Sequence, residues 1–306
     1  MIQSLEALRC AVQDSGSRVL AVAAAKDAEV LLAVDAARRL GIATAILVGD
    51  EPQIREIAQA HEIPLAHYPI IHEPDKAQAC RRAVKLVRDG KAGVVMKGIV
   101  DTSVILKAVL DREIGLRLGP VLSHVALFEV GGYDRLFIVT DVAMNIAPDV
   151  EGKKHIIRNA VNVAHALGNP NPIVACVCAV EKVNPKMPAT LDAAALVEAN
   201  RQGQLPGCIV AGPLALDNAV SPEAARHKGI DDPYAGHADI LMLPNIESGN
   251  VLYKSLVFMA RAKNAGVIVG AKAPVVLTSR ADSDEAKLNS IALALLISAH
   301  STPEKE

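Results

Sequence analysis

The sequence predicts an α/β protein of two doubly wound domains. Apolar, β-branched runs alternate along the chain with segments whose apolar residues recur at helical spacing. The predicted strands are apolar on both faces, which is typical of parallel strands covered by helices on each side. This rhythm changes at residues 121–141, which indicates where a second domain begins. Together these observations predict two halves, each with a mainly parallel sheet.

The first 120 residues repeat the strand–helix unit, and the predicted helices carry recognisable start and stop signals. Two of them open beside a proline and two close at a glycine, Gly41 and Gly90. A short amphipathic helix is predicted at the N-terminus. The other elements are strands at 17–25, 42–50, 65–71 and 92–98, and helices at 26–41, 51–63, 73–90 and 101–116.

Residues 121–141 read as a β-hairpin, because two apolar runs flank the turn sequence GGYDR. The strand–helix alternation then resumes. The predicted strands are 171–180, 207–217, 238–244, 266–270 and 274–280, and the predicted helices are 148–168, 188–203, 221–229, 248–266 and about 283–300.

Composition excludes several classes of function. The formal charge is −2 over 306 residues, without the clustered Lys and Arg that nucleic acid or a membrane surface requires. Aromatic residues make up 2% and Trp is absent, which disfavours base stacking. With neither a long apolar span nor a secretory signal, we expect a cytoplasmic protein. Five cysteines without a CxxC and nine histidines without an HExxH predict neither disulfides nor a metal site.

The run PVVLTSR at 274–280 ends on Ser279 and Arg280, just before a helix. Ligands of open α/β sheets bind beyond the carboxyl ends of strands. Asp282 and Glu285 fit a capping box, so a hydroxyl and a guanidinium would lie near a helix N-terminus, an arrangement suited to an anion. The alternative is a structural ion pair between Arg280 and a neighbouring acid.

A second candidate anion site follows the strand that ends at Lys97. Thr102 and Ser103 offer hydroxyl and backbone N–H groups in a first helical turn, and Lys107 lies further along the same helix. The sequence contains no GxxxxGK[ST] P-loop. An ordinary capped helix with surface lysines remains the alternative.

Two more strand ends carry polar residues. Asn250, after the close-packing residue Gly249, is predicted to head a helix that carries Lys254 on its first turns, where a ligand could bind. Asp141 ends a strand and Asn145 follows in a loop. Either Asp141 orients a ligand, or its carboxylate accepts hydrogen bonds from the loop.

The chain resembles the phosphate acetyl/butyryltransferase family over nearly its whole length. The likeness rests on MKGIVDTSVILKAVL, LSHVALFEV, VTDVAMNIAPD, VNPKMPATLDAAAL, GCIVAGPLALDNAVS, ADILMLPNIESGNVLYKSL and AGVIVGAKAPVVLTSRADS. The broader acetyl branch shares Gly249, Asn250, Tyr253 and Lys254, and the pattern of Pro274, Ser279 and Arg280.

The resemblance implies reversible transfer of an acyl group between coenzyme A and inorganic phosphate. It also implies two domains like those of isocitrate and isopropylmalate dehydrogenases, with the site in the interdomain cleft and a C-terminal segment that returns to the first domain. The expected domains are therefore 1–120 with 270–306, and 121–269. No tightly bound cofactor is implied, coenzyme A is a substrate, and relatives form homo-oligomers.

The residues allow the chemistry to be assigned. Arg280 can hold phosphate oxygens by two parallel hydrogen bonds, and Ser279 can donate to the carbonyl oxygen as it becomes an oxyanion. The base of the acetyl branch is an aspartate that corresponds here to Ala286, so Asp284 or Asp282 is expected to take that role. Lys107 stands where the acetyl branch has an arginine. Direct attack within a ternary complex is favoured, because no residue is needed as an acyl carrier.

Other functions are open at this stage. They are a metal-dependent decarboxylating dehydrogenase of the same fold, an acyltransferase that uses acyl carrier protein, and a coenzyme A-binding module without activity. Among acyl chains the overall likeness favours butyryl, with acetyl as the alternative, since one or two methylenes amount to only ~1–3 kcal/mol of discrimination.

Overall fold

The computed structural model describes residues 1–14, 18–277 and 282–300. The chain divides into two compact units. We call Leu5–Pro120 with Asn264–Glu306 the terminal unit, and Val121–Lys263 with Met1–Ser4 the central unit. The predicted domains also change at residue 120, but they differ from these units in two places: residues 1–4 were predicted in the first domain, and residues 264–269 in the second.

The first segment of the terminal unit alternates helices and strands as the sequence predicts. Asp27, Asp50 and Asp75 precede three of its helices, and each carboxylate accepts a hydrogen bond from a backbone N–H of the first turn. The elements are α1 (Leu5–Asp14), β1 (Arg18–Ala23), α2 (Ala28–Arg39), β2 (Ala43–Gly49), α3 (Glu51–Ala60), β3 (Ile70–His72), α4 (Lys76–Arg88), β4 (Val94–Lys97) and α5 (Thr102–Val109).

Helix α5 is shorter than its predicted range of 101–116. The carboxylate of Asp111 accepts hydrogen bonds from the backbone N–H groups of Glu113 and Ile114, at 2.8 and 3.0 Å. This local Asx arrangement competes with helical hydrogen bonding and ends the helix. Residues 65–71 also differ from the prediction: a 3₁₀ turn spans Leu65–His67, and only the end of the range forms β3.

The central unit begins with the predicted hairpin. Strand β5 pairs antiparallel with β6, and Phe128 lies opposite Phe137. Its elements are β5 (Ser123–Glu129), β6 (Phe137–Thr140), α6 (Val150–Ala166), β7 (Ile173–Val177), α7 (Pro188–Arg201), β8 (Ile209–Leu214), α8 (Leu216–Val220), α9 (Pro222–His227), β9 (Ile240–Met242) and α10 (Ile246–Lys254), which continues as a π-helical segment over Ser255–Met259.

The strands of the central unit lie in the order β5-β6-β9-β7-β8, and all pairs except β5–β6 are parallel. Because β5 runs antiparallel to β6, its first residues lie at the same edge of the sheet as the carboxyl ends of β6 and β9. This edge is where ligands bind in open α/β sheets.

The chain then returns to the terminal unit with β10 (Lys263–Val269), β11 (Val275–Val276) and α11 (Asp284–His300). The strand order is β3-β2-β1-β4-β11-β10, parallel except for β10 and β11. Residues 264–269 belong to this unit because β10 pairs with β11, where Ile268 lies opposite Val275.

Helix α11 is buried along much of its length and carries a buried lysine. Nζ of Lys287 lies 2.8 Å from Oε2 of Glu29 on α2, and it donates a hydrogen bond of 2.8 Å to the carbonyl oxygen of Asp282. A buried ammonium requires such partners, so this contact fixes α11 against α2. Across the described ranges, no helix combines the length and apolar character needed to cross a membrane.

Candidate active site

Lys97 ends strand β4, and its side chain folds over the loop that follows. Nζ donates to the carbonyl oxygens of Gly98 and Val100, each at 3.2 Å. The loop packs tightly against the end of β1, because a Cβ at Gly98 would lie 2.3 Å from the carbonyl oxygen of Ala24. The half-buried ammonium is therefore held at the entrance to α5.

Helix α5 lacks the side-chain cap that α2, α3 and α4 have. Asp101 occupies the N-cap position with extended backbone, but its side chain makes no capping hydrogen bond. Thr102 and Ser103 are exposed in the first turn. The first turn of α5 therefore combines backbone N–H groups, two hydroxyl groups and the positive end of the helix dipole. This combination suits an anion.

Lys107 lies in the last turn of α5 and is exposed. It lies five positions after Thr102, about 7–8 Å along the helix axis at ~1.5 Å per residue. It does not share the first turn with Thr102 and Ser103, and its contact with a substrate stays a prediction.

Ser279 and Arg280 lie outside the described residues. Asp284 is the first residue of α11, and its exposed carboxylate is 3.8 Å from Nζ of Lys287. The capping box predicted for Asp282 was wrong, since the hydroxyl of Ser283 accepts a hydrogen bond from the backbone N–H of Ala286 at 3.1 Å. Serine is as good an N-cap as aspartate, so the pattern alone could not decide between adjacent residues.

Asp141 ends β6 and organises the loop beyond it. Its carboxylate accepts hydrogen bonds from the backbone N–H groups of Ala143, Met144 and Asn145 at 2.9–3.2 Å, and from the side-chain amide of Asn145 at 2.6 Å. The same amide donates to the carbonyl oxygen of Leu122 at 2.8 Å. Of the two roles that the sequence left open for Asp141, the structure shows the loop-organising one. Ligand contact by Asp141 or Asn145 stays a prediction.

Helix α10 begins earlier than the sequence predicts. Asn245 is its N-cap and accepts a hydrogen bond from the backbone N–H of Ser248, so the placing of Asn250 at the head of the helix was wrong. Asn250 lies within the helix and donates to the carbonyl oxygen of Val142 at 3.2 Å. Lys254 is exposed at the last α-helical residue. Two asparagines five residues apart both fit a cap, and the local pattern favours neither.

Gly249 allows α10 to pack on the loop after β6. A Cβ there would lie 2.2 Å from the carbonyl oxygen of Asp141, well inside contact distance. The helix and the loop therefore meet backbone to backbone, and this contact brings Asn250 to Val142. The close backbone approach that the sequence predicts at Gly249 is confirmed, and it is made to Asp141 and Val142.

His124 is a polar residue of this edge that the sequence analysis did not single out. It lies near the start of β5, half-buried, in edge contact with the ring of Tyr253 at 6.1 Å between centroids. The signal available was a histidine within the mostly apolar run LSHVALFEV.

The cysteines of the central unit are buried and weakly acidic. Burial raises the pKa of the Cys176 thiol to about 12, and the pKa values of Cys178 and Cys208 to about 11. The thiolate is the nucleophilic form of cysteine. These residues are therefore poorly suited to carry an acyl group at neutral pH.

Thiol labelling checks this burial directly. At pH 7 we expect a chromogenic disulfide reagent to modify one thiol of the folded protein rapidly, that of the exposed Cys10. Cys80, whose pKa burial raises to about 11, and the three thiols of the central unit should react only after unfolding. The Cys10→Ser variant is the control, and rapid labelling of that variant in the folded state would contradict the prediction.

A family model described as phosphate acetyl/butaryl transferase matches residues 70–295. The chain belongs to the phosphate acetyl/butaryl transferase family. A phosphate butyryltransferase of Clostridium acetobutylicum is 52% identical over 297 residues, which cover 97% of this chain and 99% of that protein. A probable phosphate butyryltransferase of Bacillus subtilis is 52% identical over 92% of this chain and 94% of its own.

A solved structure supports the same assignment to the phosphate acetyl/butaryl transferase family. The branched-chain phosphotransacylase of Enterococcus faecalis V583 superposes with a TM-score of 0.82 and 37% identity, over 92% of this chain and 99% of its own. The chain is accordingly an acyltransferase with the α/β fold that the sequence predicts. Within the described ranges, no group of three or more His, Cys, Asp or Glu residues could hold a metal ion.

Proposed function

We propose that this acyltransferase moves a short-chain acyl group, with butyryl favoured, reversibly between coenzyme A and inorganic phosphate. The observation that carries the proposal is the match, 52% identical and nearly full-length on both sides, to a protein named phosphate butyryltransferase. Coenzyme A is then a substrate, and no tightly bound cofactor is needed. We further propose a cytoplasmic homo-oligomer, whose subunit number size-exclusion chromatography with light scattering would measure.

The first turn of α5 supports a role in holding an anion. Its N–H groups lack a capping side chain, Thr102 and Ser103 add hydroxyl groups, and Lys97 lies at the approach to the helix. Phosphate and the pyrophosphate of coenzyme A both carry the charge that such a helix end favours. In the proposed reaction these residues bind substrate oxygens and make no covalent bond.

Direct attack of phosphate on the thioester is the proposed mechanism. Binding both substrates together replaces a bimolecular encounter by a positioned one, and this alone can supply ~7–11 kcal/mol of the barrier. The high pKa values of the thiols of Cys176, Cys178 and Cys208 support a route without an acyl-cysteine. Arg280 would hold phosphate, Ser279 would donate to the carbonyl oxygen, and Asp284 would exchange the proton of the coenzyme A thiol.

Phosphate acetyltransferase activity is the second candidate. It is favoured by the family description, which covers both acetyl and butyryl transfer. A branched acyl-CoA should be tested beside acetyl-CoA and butyryl-CoA, because the solved relative is a branched-chain phosphotransacylase. A coenzyme A-binding module without activity is the alternative from another class.

The test measures release of free thiol from acetyl-, propionyl-, butyryl- and isobutyryl-CoA with and without phosphate. Release should require phosphate, butyryl-CoA should give the largest kcat/KM, and ³¹P NMR should show the acyl phosphate. A largest kcat/KM for acetyl-CoA would instead support the acetyltransferase. Binding of coenzyme A without phosphate-dependent release from any of the four would refute enzymatic transfer.

A further inference from the structure

The imidazole of His124 has one buried and one accessible side. Its Nδ1 is buried and has no hydrogen-bond partner within the described part of the chain. Nε2 is not among the buried side-chain atoms that lack a partner, and it makes no hydrogen bond within the described residues, so this nitrogen keeps some access to the space around the protein. Nε2 of His124 is therefore the ring nitrogen that could form a hydrogen bond with a bound ligand.

Strand pairing places His124 at the ligand-binding edge of the central sheet. Ala126 lies opposite Val139 in this antiparallel pair. Continuing the register places His124, two residues before Ala126, opposite Asp141, two residues after Val139. The hydroxyl of Thr140 donates to the carbonyl oxygen of His124 at 2.9 Å. His124 therefore lies beside the carboxyl end of β6, although it belongs to the start of an antiparallel strand.

Helix α10 fixes the ring from the other side. The ring of Tyr253 meets His124 edge-on, at 88° between the planes, and also contacts Phe128, with 5.5 Å between centroids. His124 and Phe128 point to the same face of β5 because side chains alternate along a strand. The ring is thus held by the helix that also carries Gly249 and Asn250.

The surroundings keep the imidazole uncharged. Burial lowers the pKa of His124, and the negative charge of Asp141 only partly opposes this effect. The carboxylate of Asp141 accepts no hydrogen bond from the ring, because its two oxygens already accept four hydrogen bonds from its own loop. A proton on Nδ1 would have no acceptor, so the geometry assigns the proton to Nε2.

We propose that His124 is a further catalytic residue, whose Nε2–H donates a hydrogen bond to the carbonyl oxygen of the bound acyl thioester. The inference rests on the proposed function. A phosphate oxygen forms a bond to the acyl carbon, the carbonyl electrons move to oxygen, and the C–S bond then breaks. The proton of hydrogen phosphate ends on the sulfur of coenzyme A, while His124 keeps its own proton throughout. A donor aimed at the developing oxyanion acts without any change in its own charge.

The test compares His124→Ala, His124→Gln and the exposed control His61→Gln in the butyryl-CoA assay. Loss of one oxyanion donor typically lowers kcat by about 10² to 10³-fold, so we expect that loss in His124→Ala, with KM for butyryl-CoA changed less. Gln offers an amide N–H at similar reach, and should restore kcat at least tenfold over Ala. The pH profiles of the wild type and His124→Gln should have the same shape.

Several outcomes would overturn the inference. A limb of the wild-type pH profile that His124→Gln removes would show that the ring accepts a proton instead. Unchanged kcat in His124→Ala would show that no donor is needed there. An equal loss in the Ala and Gln variants, together with a lowered melting temperature in both, would show a structural role. If the wild type released no thiol from any acyl-CoA, the proposed function itself would be refuted. That result differs from the three above, in which the wild type is active.

Discussion

The Arg280→Ala variant is expected to lose about 10² to 10³-fold in kcat/KM for phosphate, the loss typical of one transition-state donor. A guanidinium can hold two phosphate oxygens at once by charge-assisted hydrogen bonds, whereas alanine leaves those oxygens to water. The loss should be found with every acyl-CoA, because phosphate is common to all of the reactions. Initial rates of thiol release at varied phosphate concentration measure it.

Two variants serve as controls for Arg280→Ala. Arg280→Lys keeps the charge but not the planar fork, and should recover only part of the activity. Arg55→Ala removes an exposed arginine whose ion pair with Glu51 lies within one helix, and should leave both activity and stability near the wild type. Undiminished thiol release by Arg280→Ala would remove this residue from the site.

The Gly249→Ala variant is expected to lower the free energy of unfolding by about 3 kcal/mol, the upper end for overpacking. The added methyl group would meet the carbonyl oxygen of Asp141 at 2.2 Å, and neither backbone can yield without moving α10 from the loop after β6. Activity should fall about 10²-fold as well, because a displacement of ~1 Å at a site has that order of effect. Urea unfolding and the butyryl-CoA assay measure the two losses.

Gly131→Ala is the matched control. Gly131 lies in the exposed hairpin loop, its backbone is not in the left-handed region, and a Cβ there meets nothing within 4 Å. The control should therefore keep the stability and activity of the wild type. A Gly249→Ala protein as stable as the control would mean that the backbone contact at Asp141 is looser than the structure shows.

Local sequence patterns predicted most elements because their causes are local. Alternating apolar runs, Gly41 and Gly90 at helix ends, and GGYDR in the hairpin all act within a few residues. The return of the chain to the terminal unit has no such local signal and came from the family resemblance. Its physical basis is the pairing of β11 with β4, between residues far apart in the sequence.

The candidate site was less accessible from sequence. The sequence located the strand ends that carry Lys97 and Asp141, but not what each side chain contacts. Whether Asn245 or Asn250 caps α10 depends on where β9 stops, which tertiary packing decides. The environment of His124 depends on Tyr253, which contacts it only once β5 and α10 are packed together.

The assembly of the terminal unit from two distant segments has a consequence during synthesis. Strand β4 pairs with β1 on one side and with β11 on the other, so its second edge stays open until β11 has left the ribosome. About 180 residues separate β4 from β11, a delay of roughly 9–36 s at ~5–20 residues per second. The central unit is nearly continuous and can fold in that interval. The nascent N-terminal half must meanwhile be kept from pairing with the same half of a neighbouring chain on the polysome.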